Sequence, residues 1–310
     1  MENKTLIDSI KATSAKLGFA ECGIVPAAFL AEEEQHFRDW LDHGYHANMG
    51  YLAKNLDKRL DPAKWFENAQ TIIIVLHNYF THTRQTDPAA PVISKYAYGN
   101  DYHEVVKGKL NHLLHHITGI IPGCHGQIFV DSSPIPEKAW ARKAGLGWIG
   151  KNTLLISPEN GSFCFIGGIV LDTKLPDYPV QLLPDHCGDC SLCLDACPTQ
   201  ALAAPRVLDA NRCISYQTVE CKDGPDVNLS GKFRNRVFGC DICQEVCPWN
   251  RKAKEHTENQ FNPSPGLLEL TASQWNEMDS TLFNELFQAS PIKRTGFKRL
   301  RKNIEFLKIS

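Results

Sequence analysis

The spacing of apolar positions divides the chain into alternating helices and strands. Residues 4–17 place Leu6, Ile7, Ile10 and Leu17 near a 3.6-residue period, predicting an amphipathic helix that Gly18 ends. Phe19 to Val25 is a short apolar run read as a strand. A helix over Ala28 to His43 follows, with Gly44 at its C-terminal end. Thr71 to Leu76, rich in β-branched residues, reads as a strand buried on both faces. The pattern then predicts a helix over 101–118, a strand over Gln127 to Val130 and a short helix over Pro136 to Lys143. A strand pair, Thr153 to Ile156 with Ser162 to Leu171, is expected around the turn Pro158–Gly161. Proline-containing Asp172 to Pro184, with its Asp177–Tyr178 pair, reads as a linker.

Several local motifs have bland readings. His112 and His116 lie one turn apart, but the helix lacks the glutamate of a metalloprotease, so a solvated polar face is favoured. Gly145-Leu-Gly-Trp-Ile-Gly-Lys151 fits a phosphate-loop pattern. However, Asn152 replaces the Ser or Thr that holds Mg²⁺, and a helix precedes where a strand is required; a nucleoside triphosphatase is rejected. The three glycines either approach a flat ligand or form a helix cap and turn. Asp131 ends a strand, where it either caps the next turn or, buried, keeps a proton available as an acid.

The cysteines change the picture. Cys187, Cys190, Cys193 and Cys197-Pro198 follow the ferredoxin spacing C-x2-C-x2-C-x3-C-P, and Cys240, Cys243 and Cys247-Pro248 repeat most of it. In that arrangement the fourth cysteine serves the other cluster. Cluster one would use Cys187, Cys190, Cys193 and Cys247. Cluster two would use Cys240, Cys243 and Cys197, with Cys213 as its fourth ligand and Cys221 as the rival. A structural zinc site would leave half of these cysteines idle. Twelve cysteines without an export signal suit a reducing cytoplasm rather than disulfides.

Bulk properties add limits. At 310 residues with 43% hydrophobic content, about two domains are expected. No apolar run approaches the roughly 18–20 residues of a membrane span. The net charge of −2 hides a basic C-terminus: Lys293, Arg294, Lys298, Arg299, Arg301, Lys302 and Lys308 face one acid, Glu305. Lys232, Arg234, Arg236, Arg251, Lys252 and Lys254 add to it near the cysteines. Such a face suits folded RNA or is simply a solvated helix.

Asp131-Ser-Ser-Pro-Ile-Pro-Glu137-Lys-Ala139-Trp-Ala-Arg-Lys-Ala144-Gly-Leu-Gly-Trp-Ile-Gly-Lys-Asn152 stands about one linker before the cysteine runs. With Tyr102-His103, Cys213-Ile-Ser-Tyr216, Phe238-Gly-Cys-Asp241 and Ser290-Pro-Ile-Lys-Arg-Thr295, it closely resembles the epoxyqueuosine reductases over nearly the whole chain. The resemblance implies an α+β protein in three parts: a mixed α/β cobalamin-binding domain over 1–180, a ferredoxin-like domain with two 4Fe-4S clusters over 181–256, and a basic helical segment over 257–310. It implies reduction of epoxyqueuosine to queuosine at the tRNA wobble position. Cobalamin in its two-electron-reduced form would be the reductant, fed by the clusters, with Asp131 as proton donor. Corrin contacts are expected near Arg59, Tyr96, Tyr102, His103, Lys151, Asn152, Ser215 and Asp241. Asp101-Tyr-His103 is followed by Glu-Val-Val and not by a D-x-H-x-x-G pattern, so no histidine is expected as the lower cobalt ligand. The sequence ends at Ser310, before the helical-repeat extension many members carry. Expected partners are a tRNA anticodon stem-loop and an external electron donor, with a cytoplasmic monomer and no membrane. The competing functions are another corrinoid reductase of the dehalogenase kind and a plain electron carrier.

Overall fold

In the computed structural model, residues 3–176 and 179–308 are described; Asp177–Tyr178 of the expected linker lie outside them. The N-terminal part is built on four antiparallel strands in the order β1 (Glu21–Pro26), β2 (Thr71–Asn78), β7 (Cys164–Leu171), β4 (Gly126–Phe129). The two central strands are those with the most continuous apolar runs, because both of their faces are covered. Ile73, Val75 and Ile169 pack with Ile7 and Ile10 of α1 (Asn3–Lys16) and with Val106, Leu110 and Leu113 of α4 (Tyr102–Ile120). Ile72, Ile74, Leu76 and Val170 point the other way, onto Ala139, Trp140 and Ala141 of α5 (Glu137–Lys143). The period-2 alternation of one strand thus feeds two separate cores. Truncating a residue such as Ile73 to Ala would cost about 2–5 kcal/mol. Helices α2 (Ala31–Asp42) and α3 (Leu56–Leu60) lie between β1 and β2 in sequence.

The expected strand pair around Pro158–Gly161 does not form. Leu155–Ile156 (β6) instead pairs with Trp148–Ile149 (β5), and only a Ser157–Gly161 bridge marks the turn. The eight-residue run of β7 is needed between β2 and β4, while the Ser157 hydroxyl accepts the amides of Glu159 and Asn160 and turns the chain away.

Beyond the linker, short elements carry the cysteines: α6 (Leu192–Ala196), the β8–β9 hairpin (Leu202–Ala204 with Val207–Leu208), α7 (Ile214–Val219), β10 (Arg236–Phe238) and α8 (Ile242–Glu245). The C-terminus is helical, through α9 (Ala272–Glu277), α10 (Ser280–Phe287), α11 (Ile292–Thr295) and α12 (Phe297–Lys308). Trp275, Phe287, Ile292, Leu300 and Ile304 form a third core with Ile93, Val237 and Phe238. Here β3 (Val92–Ile93), an early segment, pairs in parallel with β10. Among the described residues no helix is long and apolar enough to cross a membrane.

Candidate active site and cluster centre

Asp131 follows β4 in a left-handed conformation, φ 53°, that few non-glycine residues adopt. Its backbone N–H donates to the Glu137 carboxylate at the start of α5. The Asp131 carboxylate caps no turn. Its Oδ2 accepts from the Tyr102 hydroxyl (2.9 Å) and lies 3.0 Å from His103 Nε2. Tyr102 is itself stacked on Phe165 with ring centroids 4.2 Å apart. Asp101 is the N-cap of α4: its Oδ1 accepts the His103 backbone N–H and sits 2.6 Å from His103 Nδ1. One capping residue therefore also fixes the ring. Arg294 Nη1 lies 3.1 and 3.0 Å from the two ring nitrogens.

These contacts reverse one expectation. Burial pushes the Asp131 carboxyl up, but the hydrogen bond and charge of His103, the Tyr102 hydroxyl and Arg294 outweigh it, so the group is held below the usual carboxylate range. Its side chain remains 58% exposed. His103 moves the other way: burial lowers it, but hydrogen bonds and charge from Asp101 and Asp131 raise it overall. Glu137 is pushed up to about 8 by burial and then by Asp131.

Cys197, Cys213, Cys240 and Cys243 line one cavity of about 320 Å³. Cys221 does not; it is buried beside Ala210 and Tyr216 and donates to the Gly224 carbonyl at 3.0 Å. Cys247 lies near Cys187 and Cys190, Cys193 near Cys187 and Cys247, and Cys243 near Cys193, so the two sets adjoin. Burial first, then neighbouring thiols, push Cys243 well up and hold Cys213 above its usual range, and burial takes Cys240 to about 12. Ionising such a crowded set requires a positive centre among the sulfurs, which an iron–sulfur cluster provides. Among the described residues no three His, Cys, Asp or Glu side chains converge as closely as a single ion would require.

The same cavity is bounded by Tyr96, Asn152, Thr153, Ser215 and Asp241. Thr153 takes φ 67°, strained for a β-branched residue. Asp241 is buried and accepts the Lys95 backbone N–H at 2.8 Å; burial raises its carboxyl. Arg59, half-buried on α3, has an Nε without a partner and is lowered by burial. Lys151 is engaged elsewhere than in this cavity: its Nζ donates to the carbonyls of Gly188 (2.6 Å) and Cys190 (2.9 Å), anchoring the first cysteine loop. His103 and Tyr102 are already bound to carboxylates.

The glycine-rich stretch answers its own question. Gly145, φ 73°, follows the end of α5, and a Cβ on Gly147 would stand 2.3 Å from the Ile156 carbonyl oxygen. The close approach is to the chain itself. His116 bonds Ser9 at 3.0 Å. In the basic face, Arg299 and Arg301 are structural, donating to the carbonyls of Val219 and Asn276, and Arg236 pairs with Glu245; Lys293, Lys298, Lys302 and Lys308 stay exposed. Sequence reading did not single out Asp101, Glu137 or Arg294 for the site. An aspartate before a helix with histidine two residues on was the available signal for the first.

A family model described as "Epoxyqueuosine reductase QueG, DUF1730" matches residues 59–132, and one described as "4Fe-4S double cluster binding domain" matches 186–250. The epoxyqueuosine reductase of Cellulophaga algicola is 47% identical over 97% of this chain and 97% of its own length. The chain belongs to the epoxyqueuosine reductase family. The Pseudomonas aeruginosa epoxyqueuosine reductase is 39% identical over 96% of this chain and 84% of the relative. A crystal structure of an epoxyqueuosine reductase with an epoxyqueuosine-modified tRNA-Tyr stem-loop superposes with a TM-score of 0.90 at 25% identity, covering 99% of this chain and 81% of that one. The Bacillus subtilis epoxyqueuosine reductase, in a structure with its catalytic aspartate loop swung out of the active site, gives 0.89 at 25% identity over 99% and 82%. The α+β architecture with a double-cluster domain and a helical C-terminus is the fold of this reductase family.

Proposed function

We propose that this protein reduces epoxyqueuosine to queuosine in a tRNA anticodon stem-loop, with Asp131 delivering the proton to the opening epoxide oxygen. The observation that carries the reading is the Asp131 carboxylate, held by Tyr102 and His103 yet open on one side, in a protein whose next domain brings four cysteines around one cavity. Converting the epoxide to an alkene and water takes two electrons and two protons. Cobalamin, when bound, supplies the two-electron nucleophile. Tyr96, Asn152, Thr153, Ser215 and Asp241 would hold it beside cluster two, together with Arg59. Both His103 nitrogens face carboxylates, which hold the ring against Asp131. Cys187, Cys190, Cys193 and Cys247 would bind cluster one; Cys197, Cys213, Cys240 and Cys243 would bind cluster two. Cys193 and Cys243 lie near each other, so clusters held by the two sets would stand side by side and could supply electrons one at a time. Tyr102 orients Asp131 and stays a phenol, since burial and the neighbouring carboxylate push its ionisation far up. As negative charge develops on oxygen, Asp131 transfers a proton to it. Lys293, Lys298 and Lys302 would meet the RNA backbone. A cytoplasmic monomer served by an external donor completes the proposal.

The test is anaerobic reconstitution with iron, sulfide and cobalamin, followed by turnover of an epoxyqueuosine stem-loop. Asp131→Asn should keep the cluster and corrin absorbance and lose turnover; undiminished turnover would refute the donor role.

A further inference from the structure

The proposed reaction consumes two protons, yet the carboxyl at the reacting face is held in its ionised form. The residues behind it offer a supply. His103 is 5% exposed, with Nε2 3.0 Å from Asp131 and Nδ1 2.6 Å from Asp101. Asp101 in turn lines a second cleft of about 740 Å³, together with Glu104, Lys109, Gln260 and Lys293. That cleft shares no lining residue with the cysteine-lined cavity. A continuous path of two short contacts therefore joins an open cleft to the reacting carboxyl from behind.

We infer that Asp101 and His103 form a proton-supply path to Asp131, with His103 as the resident carrier and the second cleft as its water-side entrance. The inference rests on the proposed donor role of Asp131. In each pass the imidazolium gives its Nε2 proton to the Asp131 carboxylate, and the carboxylic acid so formed passes a proton to the substrate oxygen. The ring is left neutral with its proton on Nδ1; turned over, it presents the bare nitrogen to Asp101 and regains a proton there from cleft water. No electron moves along this path; each pass delivers one proton, and two passes match the two electrons. The groups facing the ring are Asp101, Asp131, Tyr102, Arg294 and, beyond Asp131, Glu137. Their balance leaves the ring more basic than an ordinary imidazole.

The test is single-turnover reduction of an epoxyqueuosine stem-loop by the loaded enzyme as a function of pH. Wild type should lose rate along an alkaline limb centred above about 6.5, the ordinary histidine value. His103→Gln should abolish that limb and slow the reaction about 10²-fold or more, with cluster and corrin absorbance unchanged. Asp101→Asn keeps a polar partner at the ring but removes its charge, so the limb should move to lower pH; it also keeps the inference testable if His103→Gln fails to fold. A His103→Gln profile matching wild type, or an unmoved limb in Asp101→Asn, overturns the path. Absence of wild-type turnover, or full turnover by Asp131→Asn, overturns the functional reading and the path with it. Inert Asp131→Asn beside an unaltered His103→Gln profile overturns the path alone.

Discussion

Replacing Glu137 by Ala removes the acceptor of the Asp131 backbone N–H while leaving every contact of the Asp131 carboxylate intact. Asp131 sits at φ 53°, a conformation that costs a non-glycine residue about 1–3 kcal/mol and persists only where surroundings impose it. An unsatisfied amide in this setting costs about 1–3 kcal/mol more. At about 1.4 kcal/mol per tenfold, losing the acceptor should deplete the productive loop conformation roughly 5- to 150-fold, and the single-turnover rate on the stem-loop should fall in proportion. Glu137→Gln retains an acceptor oxygen and should recover most of the loss. Hydrogen exchange at the Asp131 amide gives a second readout: fast in the alanine variant, slow in wild type and glutamine variant. If Glu137→Ala reacts within about twofold of wild type while its Asp131 amide exchanges fast, the loop does not need this hold and the reasoning is wrong.

Three other outcomes follow from the same geometry. Cys213→Ser should halve the bound iron, whereas Cys221→Ser should keep it, because only Cys213 faces the cavity of Cys197, Cys240 and Cys243; iron analysis after reconstitution decides between them. The Glu137 carboxyl is raised to about 8 from an ordinary value of 4.5, so the native state holds a proton that the unfolded chain releases. Stability contributed by the neutral form is present below about 4.5 and is lost as pH rises toward 8. The Tm advantage of Glu137→Gln over wild type should therefore grow across that window, and a constant difference would contradict the shift. Lys298→Glu and Lys302→Glu should weaken stem-loop binding and flatten its dependence on salt by about one counterion for each phosphate no longer neutralised, measured as Kd between roughly 50 and 200 mM salt.

The sheet was legible because β2 is apolar on both faces and β7 nearly so, and the helices around it because their apolar residues recur at helical spacing. The cysteine sets were legible because ligand spacing along a tight loop is a local property. The strand partner of Leu155–Ile156 was not, since it depended on a long-range choice of where β7 would be used. The ionisation of Asp131 was not either. Its position at a strand end is local, but its sign is decided by His103 and Arg294, 28 and 163 residues away in sequence. Lys151 and Arg299 show the same limit: a cation's composition suggests a ligand, and only the fold reveals that a backbone carbonyl has taken it.

The parallel pairing of Val92–Ile93 with Arg236–Phe238 has a consequence for how the protein can be cut. Ile93, Ala97 and Tyr98, from before the cysteine runs, share a core with Leu268, Trp275 and Phe287 from after them. A protease nick in the segment between Asp172 and Pro184 would leave two fragments still joined through that core. Neither fragment is a free-standing cassette: the C-terminal piece alone would present bare the apolar surface of Phe238 and Trp275. Excision or domain grafting at the apparent boundary should yield aggregates, and co-expression of the two fragments should restore a soluble pair.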